Sequence, residues 1–288
     1  MAFTKTEKIL KSKKAYDNFE FIHSSDGRIL RMIAEYLYPD QYLRKKGVKG
    51  AIVFYGSARS FSMEEYNNRM ESLTKKLNVA KGNELTKINK EIKQLKSVED
   101  ICRYHDDATK LAKMFSEWLA VEPLAKGIYV TTGGGGGMME AANKGAALAN
   151  LDTIGLNISL PFEQHPNQHI SPHFNFEFHY FFMRKFWFVY LAKAIVTMPG
   201  GFGTLDELME ILTLRQTLKV TKPLPIVLYG SDFWKKLINM ELLIEKQLIS
   251  PEDMNLFKYV DTPDDAFEYL KSELEKSIKK KDKKLSLK

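Results

Sequence analysis

The apolar positions of this chain fall into short continuous runs separated by segments of helical period. The runs cover 51–55, 128–132, 153–159, 194–198 and 224–229, with a shorter one at 257–260. Short runs without alternation fit strands buried on both faces of a parallel sheet. Between them, spacings of three and four predict helices over 105–120, 138–150, 182–193, 204–218, 231–247 and 263–280. In the second of these, Met139, Ala142, Ala146 and Ala149 recur at helical spacing. Alternating strands and helices predict an α/β fold, a parallel sheet covered by helices on both faces. Residues 174–180 alternate instead, which fits an edge strand or an extended loop.

Two segments fall outside that pattern. Residues 15–47 read as helices preceding the first strand, with apolar residues at helical spacing from Arg28 to Leu37. Residues 63–101 read as a charged helical insertion between the first strand and its return helix, and Lys81-Gly82-Asn83 marks a turn between two antiparallel helices. With few large apolar residues, the insertion is expected to project or to pack on a partner subunit. The expected organisation is a helical extension over 1–47, a nucleotide-binding domain over 48–262 that carries the insertion, and a C-terminal helix with a basic tail over 263–288.

Composition narrows the function classes. No run of about 18 apolar residues is present, so no membrane span or membrane partner is expected, and the Met1–Lys5 start lacks a signal-peptide core. The single cysteine, Cys102, excludes an internal disulfide and fits a reducing, cytoplasmic compartment. Its helical setting reads as a small buried hydrophobe rather than a nucleophile. The net charge of +7 resides in the ends: residues 271–288 carry eight Lys against three acids, residues 1–14 carry five Lys against one Glu, and the body is left at −2. Lysine-rich ends are usually solvated, and these lack the arginine–aromatic interleaving of a nucleic-acid surface. Nucleic acid is therefore not the expected partner.

Three glycine turns follow three of the predicted strands. Gly56-Ser57-Ala58-Arg59-Ser60 follows the first, Gly133–Gly137 follows 128–132, and Met198-Pro199-Gly200-Gly201-Phe202-Gly203-Thr204-Leu205-Asp206-Glu207 runs from 194–198 into a helix. In open parallel sheets, turns at the carboxyl ends of strands meet at one ligand crevice. Glycines permit close backbone approach, and a helix N-terminus offers free N–H groups to a phosphate. Five consecutive glycines cost about 0.5–1 kcal/mol each relative to Ala in an ordered element, more than a tight turn needs. No turn ends in Gly-Lys-Ser/Thr, and Met138 and Met139 stand where G-x-G-x-x-G needs its last glycine, so neither P-loop hydrolysis nor ordinary dinucleotide binding is favoured. Glu207 would repel a phosphate unless it had other work there, so a phosphorylated ligand with further chemistry is implied.

These residues together resemble the LOG (Lonely guy) family, often mislabelled lysine decarboxylase. Pro199 to Glu207 matches every fixed position of its P-G-G-x-G-T-x-x-E signature, and the glycine run before Met138-Met139-Glu140, the Gly56-Ser57 turn and Met183-Arg184-Lys185 fit as well. The resemblance covers about 50–230, and 15–47 looks like the N-terminal region of longer bacterial members. It implies a Rossmann-like fold, a homodimer or higher homo-oligomer, and no cofactor. The implied reaction is hydrolysis of the N-glycosidic bond of a nucleoside 5′-monophosphate, AMP or a cytokinin ribotide, to free base and ribose 5-phosphate. The essential Arg and Glu of the family fall on Arg184 and Glu207. The 63–101 insertion departs from the short plant-type members.

That reaction builds positive charge on the sugar, which a carboxylate at C1′ stabilises. The 5′-phosphate would sit on Gly200, Gly201, Gly203 and Thr204, with Gly56, Ser57, Thr132, Gly133, Gly134 and Gly135 completing the nucleotide site. Met183, Lys185, Met139 and Glu140 are candidates for the base pocket or ribose, with Phe182 beside them and Arg59 a weaker site candidate. Plainer alternatives stand next to these. Thr204-Leu205-Asp206-Glu207 is also a capping box, Asp206 and Glu140 suit helix first turns, and Arg184 could snorkel from a half-buried aromatic helix. His165, His169 and His173 are spaced by four with His179 beyond, but Pro166 and Pro172 break the helix a metal site would need, so a pocket-rim loop is expected and no metal. A non-catalytic nucleotide-binding or sensor protein on the same fold remains the alternative function.

Overall fold

A computed structural model of the chain describes residues 12–161 and 165–285. The lysine-rich start, up to residue 11, and the last three residues of the basic tail lie outside the described residues. The chain divides into two compact units, one ending at Lys46 and one starting at Gly47. The first contains helices α1 (Phe19–His23) and α2 (Arg28–Lys45). Asn18 caps α1 through its side chain, and Arg31 of α2 donates to the carbonyls of Ile22 and Ser24, which ties the two helices together.

The second unit is built on seven strands: β1 (Gly50–Tyr55), β2 (Ile128–Thr132), β3 (Thr153–Ile158), β4 (Asn175–Phe178), β5 (Ala192–Thr197), β6 (Ile226–Tyr229) and β7 (Lys258–Val260). They form one sheet in the order β4-β3-β2-β1-β5-β6-β7, parallel throughout. The fold is therefore the expected α/β class with Rossmann-like topology. The alternating segment 174–180 is the edge strand: Phe176 and Phe178 are buried, while Asn175 and Glu177 face outward. The chain works outward from β1 to β4, then returns to pair β5 with β1. That reversal is the switch point at which open α/β sheets bind ligands.

The helices of this unit are α3 (Met63–Leu77), α4 (Asn83–Lys96), α5 (Glu99–Val121), α6 (Met138–Leu148), α7 (Phe181–Leu191), α8 (Phe202–Gln216), α9 (Ser231–Leu237), α10 (Met240–Glu245) and α11 (Pro263–Leu285). The predicted 231–247 helix is two helices, because Asn239 leaves helical geometry and caps α10 through Leu242 N–H. On one sheet face, Ala108, Leu111, Ala112 and Phe115 of α5 pack with Ala142 and Ala146 of α6, Leu270 of α11, and Ile52, Val130 and Val196 of the strands. Truncating a side chain as buried as Phe115 to alanine costs about 3–5 kcal/mol. Helices α5 and α6 touch closely because Gly145 has no Cβ; one there would stand 2.3 Å from the Thr109 carbonyl. Of the expected row, Ala142 and Ala146 are buried, with Met138, Ala141, Asn143 and Gly145 beside them, whereas Met139 and Ala149 at its ends are not, so Met139 turns away from this core.

The insertion is the hairpin α3–α4. Its turn uses Gly82 at φ +57°, a conformation that suits glycine. It does not simply project: Tyr66 and Leu95 form a small core with Cys102 of α5, backed by Phe61, Met70 and Leu73. Burial raises the Cys102 thiol to about 11, so it is unreactive. Among the described residues no helix is long and apolar enough to cross a membrane.

Candidate active site

The three glycine turns meet where β1 and β5 end. Ser57 N–H donates to the Pro199 carbonyl at 3.1 Å, and Met138 N–H donates to the Ser57 carbonyl at 2.9 Å. Ser57 thus joins all three turns, while its hydroxyl accepts from Arg59 N–H. Gly56 and Gly200 are packing glycines: a Cβ would stand 2.6 Å from the Met138 side chain at the first and 2.1 Å from Thr204 Oγ1 at the second. Gly201 and Gly203, by contrast, face open space.

These turns wall a cavity of about 700 Å³, within the usual range for small-molecule sites. Gly56, Ser57, Arg59, Gly133, Met139, Arg184, Gly200, Gly201, Gly203, Thr204 and Glu207 line it, with Tyr55, Phe181, Phe188 and Phe202 supplying aromatic wall. Helix α8 begins at Phe202 with Gly201 as N-cap and no side-chain cap. Its first intrahelical bond runs from Leu205 N–H to Gly201 O, so the N–H groups of Phe202, Gly203 and Thr204 are free at the cavity. The capping-box alternative for Glu207 is thereby removed: the N-cap is Gly201, three residues before Thr204, which carries Glu207 past the first turn.

Glu207 is buried, its side chain only 9% exposed, and its Oε1 lies 3.4 Å from Nη2 of Arg184, itself 14% exposed. Burial pushes the Glu207 carboxyl up to about 7; Arg184 and Lys185 oppose that shift, and Glu210 and Asp206 add to it. Burial likewise lowers Arg184, with Glu207 pulling it back. The guanidinium stacks near Phe181 and Phe188 at 5.2 and 5.7 Å. It fits against the first turn residue of the glycine run, because a Cβ on Gly133 would come within 3.7 Å of Arg184 Nη1. A buried carboxyl titrating near neutrality beside a cation suits work at a carbon that gains positive charge.

Other expected site residues lie elsewhere. Thr132, Gly134 and Gly135 sit behind the cavity wall in a buried polar network. Thr132 Oγ1 donates to Asn143 Oδ1 at 2.6 Å and accepts from Gly134 N–H, and Asn143 Nδ2 donates to Thr153 Oγ1. Asn167 closes the network: its Nδ2 approaches the carbonyls of Gly134 and Gly135 at 3.1 and 2.9 Å and Asn143 Oδ1 at 2.9 Å. Lys185 is bound to Asp206 and Glu210 at 2.9 and 2.6 Å, which pins α7 to α8 next to the Arg184–Glu207 pair. Met183 and Phe182 do not line the cavity. Glu140 lies 3.9 Å from His169, and His173 pairs with Asp152. Among the described residues no group of three or more His, Cys, Asp or Glu is placed to hold a metal. Asn143 and Asn167 escaped the sequence reading. The one signal was an asparagine next to the alanine face of a predicted helix.

A family model described as "Possible lysine decarboxylase" matches residues 139–270. The rice (Oryza sativa subsp. japonica) protein named probable cytokinin riboside 5′-monophosphate phosphoribohydrolase LOGL6 is 27% identical over 81 residues. That stretch is 28% of this chain and spans about a third, 32%, of the rice protein. Among solved structures, the chain is similar to the molybdenum cofactor binding protein of Rippkaea orientalis, at 20% identity and TM-score 0.42 over 59% of this chain and 86% of that one. It is also similar to the molybdenum cofactor carrier protein of Chlamydomonas reinhardtii, at 20% identity and TM-score 0.40 over 60% and 88%. The residues present do not fit the pyridoxal phosphate of a lysine decarboxylase, which is held on a Schiff-base lysine. Among the described residues no lysine lines the cavity, and Lys222, lowered to about 8 by burial, donates to the carbonyls of Val189 and Tyr190 at the end of α7.

Proposed function

The chain belongs to the LOG family, and from that premise we propose that it hydrolyses the N-glycosidic bond of a nucleoside 5′-monophosphate, AMP or a cytokinin ribotide. The observation that carries the reading is the buried Glu207–Arg184 pair beside the free N–H groups of α8. The 5′-phosphate is bound by Gly201, Phe202, Gly203 and Thr204 at the helix N-terminus. The sugar then lies over Glu207. As the C1′–N bond breaks, the ionised carboxylate stabilises the positive sugar and orients the water whose oxygen adds to C1′. The base leaves with a proton, and ribose 5-phosphate remains. Arg184 contacts phosphate or departing base through its planar donors.

The homo-oligomer belongs to the same proposal. Phe181, Phe182 and Tyr190 of α7 are exposed beside the cavity, and Phe202 is 93% exposed at its mouth. An apolar surface of this kind marks an interaction site, and light scattering of the purified protein tests it.

The test of function is chromatography of AMP and of adenosine after incubation with wild type and Glu207→Gln. The expected result is adenine and ribose 5-phosphate from AMP with wild type alone. Equal turnover of adenosine would rule out the phosphate anchor. Product from the mutant would remove Glu207 from the chemistry, and tight AMP binding without product would favour the binding-protein alternative.

A further inference from the structure

Tyr55 ends β1 with its side chain in the cavity wall. Its ring meets Phe188 of α7 edge-on, 5.3 Å between centroids. That packing accounts for the ring but not for the hydroxyl, which is buried without a hydrogen-bond partner. An unpaired buried hydroxyl is costly and rare, and phenylalanine would fill the same space without it. The hydroxyl therefore points to a state in which it is paired.

The groups facing it are few. Across the sheet, its register neighbour is Thr197 of β5, whose hydroxyl is also buried without a partner. Arg184 of α7 and Glu207 of α8 line the same cavity, and their charges and that of Glu210 act on the phenol. Burial first, and then those two carboxylates, hold the phenol well above its ordinary range. It is thus a neutral donor at any working pH. Glu210 is bound by Lys185. Glu207 lines the same cavity as Tyr55, and among the described residues it is held by one long 3.4 Å contact to Arg184, whose Nε is itself unpaired.

We propose that Tyr55 is a positioning residue for Glu207: when the nucleotide draws the Arg184 guanidinium onto itself, the Tyr55 hydroxyl donates to the Glu207 carboxylate and keeps it ionised beneath the sugar. The inference rests on the glycosidase reading. A phosphate or a base competes well for a loosely held guanidinium. Once Arg184 turns to the ligand, burial, Glu210 and Asp206 all favour protonation of Glu207, and Lys185 is already committed to those two acids. A hydrogen bond to the charged form opposes that. A neutral donor also suits the chemistry, because a second cation beside Glu207 would oppose the positive charge developing at C1′.

Tyr55→Phe keeps the ring and removes only the hydroxyl. The pH dependence of kcat/KM reports the free protein and that of kcat reports the complex. The expected result is an acidic limb of kcat for AMP raised by about one pH unit, roughly a tenfold loss of kcat at pH 6, with the limb of kcat/KM unmoved. The thermal midpoint should not fall, since a buried unpaired hydroxyl is removed. An unmoved kcat limb in an active protein overturns the inference and leaves the glycosidase reading intact. Limbs of kcat and kcat/KM that rise together overturn the exchange with Arg184. Inactive wild type overturns the glycosidase reading. A readout without turnover then decides: with ribose 5-phosphate bound, the Glu207 carboxyl resonance of 13C-glutamate-labelled protein should titrate higher in Tyr55→Phe than in wild type, and equal midpoints refute the role of Tyr55.

Discussion

Replacing Glu207 with glutamine should make the protein more stable, and only above a definite pH. The folded carboxyl titrates at about 7 against an ordinary value of 4.5, so it holds its proton more tightly folded than unfolded. Between those values the folded state binds more protons, and stability falls as pH rises. The 2.5-unit difference corresponds to about 3 kcal/mol at about 1.4 kcal/mol per unit, undiscounted because the side chain is 9% exposed. Glutamine resembles the protonated form and keeps the same Arg184 beside it. Wild type and Glu207→Gln should therefore be equally stable near pH 4. By pH 8.5 the mutant should lead by about 3 kcal/mol, or about 1 M in urea midpoint. Urea denaturation of both proteins from pH 4 to 8.5 measures the difference directly, since all other titrating groups are shared. A mutant less stable at pH 8.5 would mean that the Arg184 pair outweighs desolvation. The carboxylate would then be an ordinary structural ion pair, and a site tuned to neutral pH would be refuted.

Three further outcomes are expected. The kcat/KM for AMP should rise with pH through a single proton near pH 7, tracking Glu207; a limb near 6 would instead follow the substrate's own phosphate. Asn167→Ala should lower stability by about 2–3 kcal/mol through loss of its amide contacts, a fall of about 4–12 °C in thermal midpoint by calorimetry, and should raise the KM for AMP; an unchanged midpoint would show that water replaces the amide. Gly134→Ala and Gly203→Ala should separate two uses of glycine. The first meets Asn157 Oδ1 at 2.0 Å on a φ of +74° and should not fold stably, whereas the second meets nothing within 4 Å and should fold normally while binding AMP more weakly. Circular dichroism and a binding titration distinguish them, and wild-type affinity in Gly203→Ala would place the phosphate elsewhere.

The strand ends and glycine turns were legible because fully buried strands leave continuous apolar runs and because glycine alone tolerates the close approaches at Gly56, Gly134, Gly137 and Gly200. The run from Pro199 to Glu207 pointed to a helix N-terminus at the right place in the chain. It misled by three residues over the N-cap, since Thr204 looks like a cap and Gly201 does not, although the free amides begin at Phe202. Arg184 and Glu207 are 23 positions apart and meet only because α7 and α8 pack side by side, clamped by Lys185 between Asp206 and Glu210. Tyr55 and Asn167 left less trace. A tyrosine at the end of a strand reads as core, and the orphan state of its hydroxyl exists only once Thr197, Arg184 and Glu207 surround it. Asn167 acts from a loop beyond β3 on a turn 33 residues earlier, a partnership that no local spacing encodes.

The α3–α4 hairpin leaves the chain just after the Gly56–Ser60 turn and rejoins it at α5, carrying its own small core of Tyr66, Leu95 and Cys102. That core reaches back to Phe61, the residue that follows the Gly56–Ser60 turn, so packing ties the hairpin to the segment that walls the crevice.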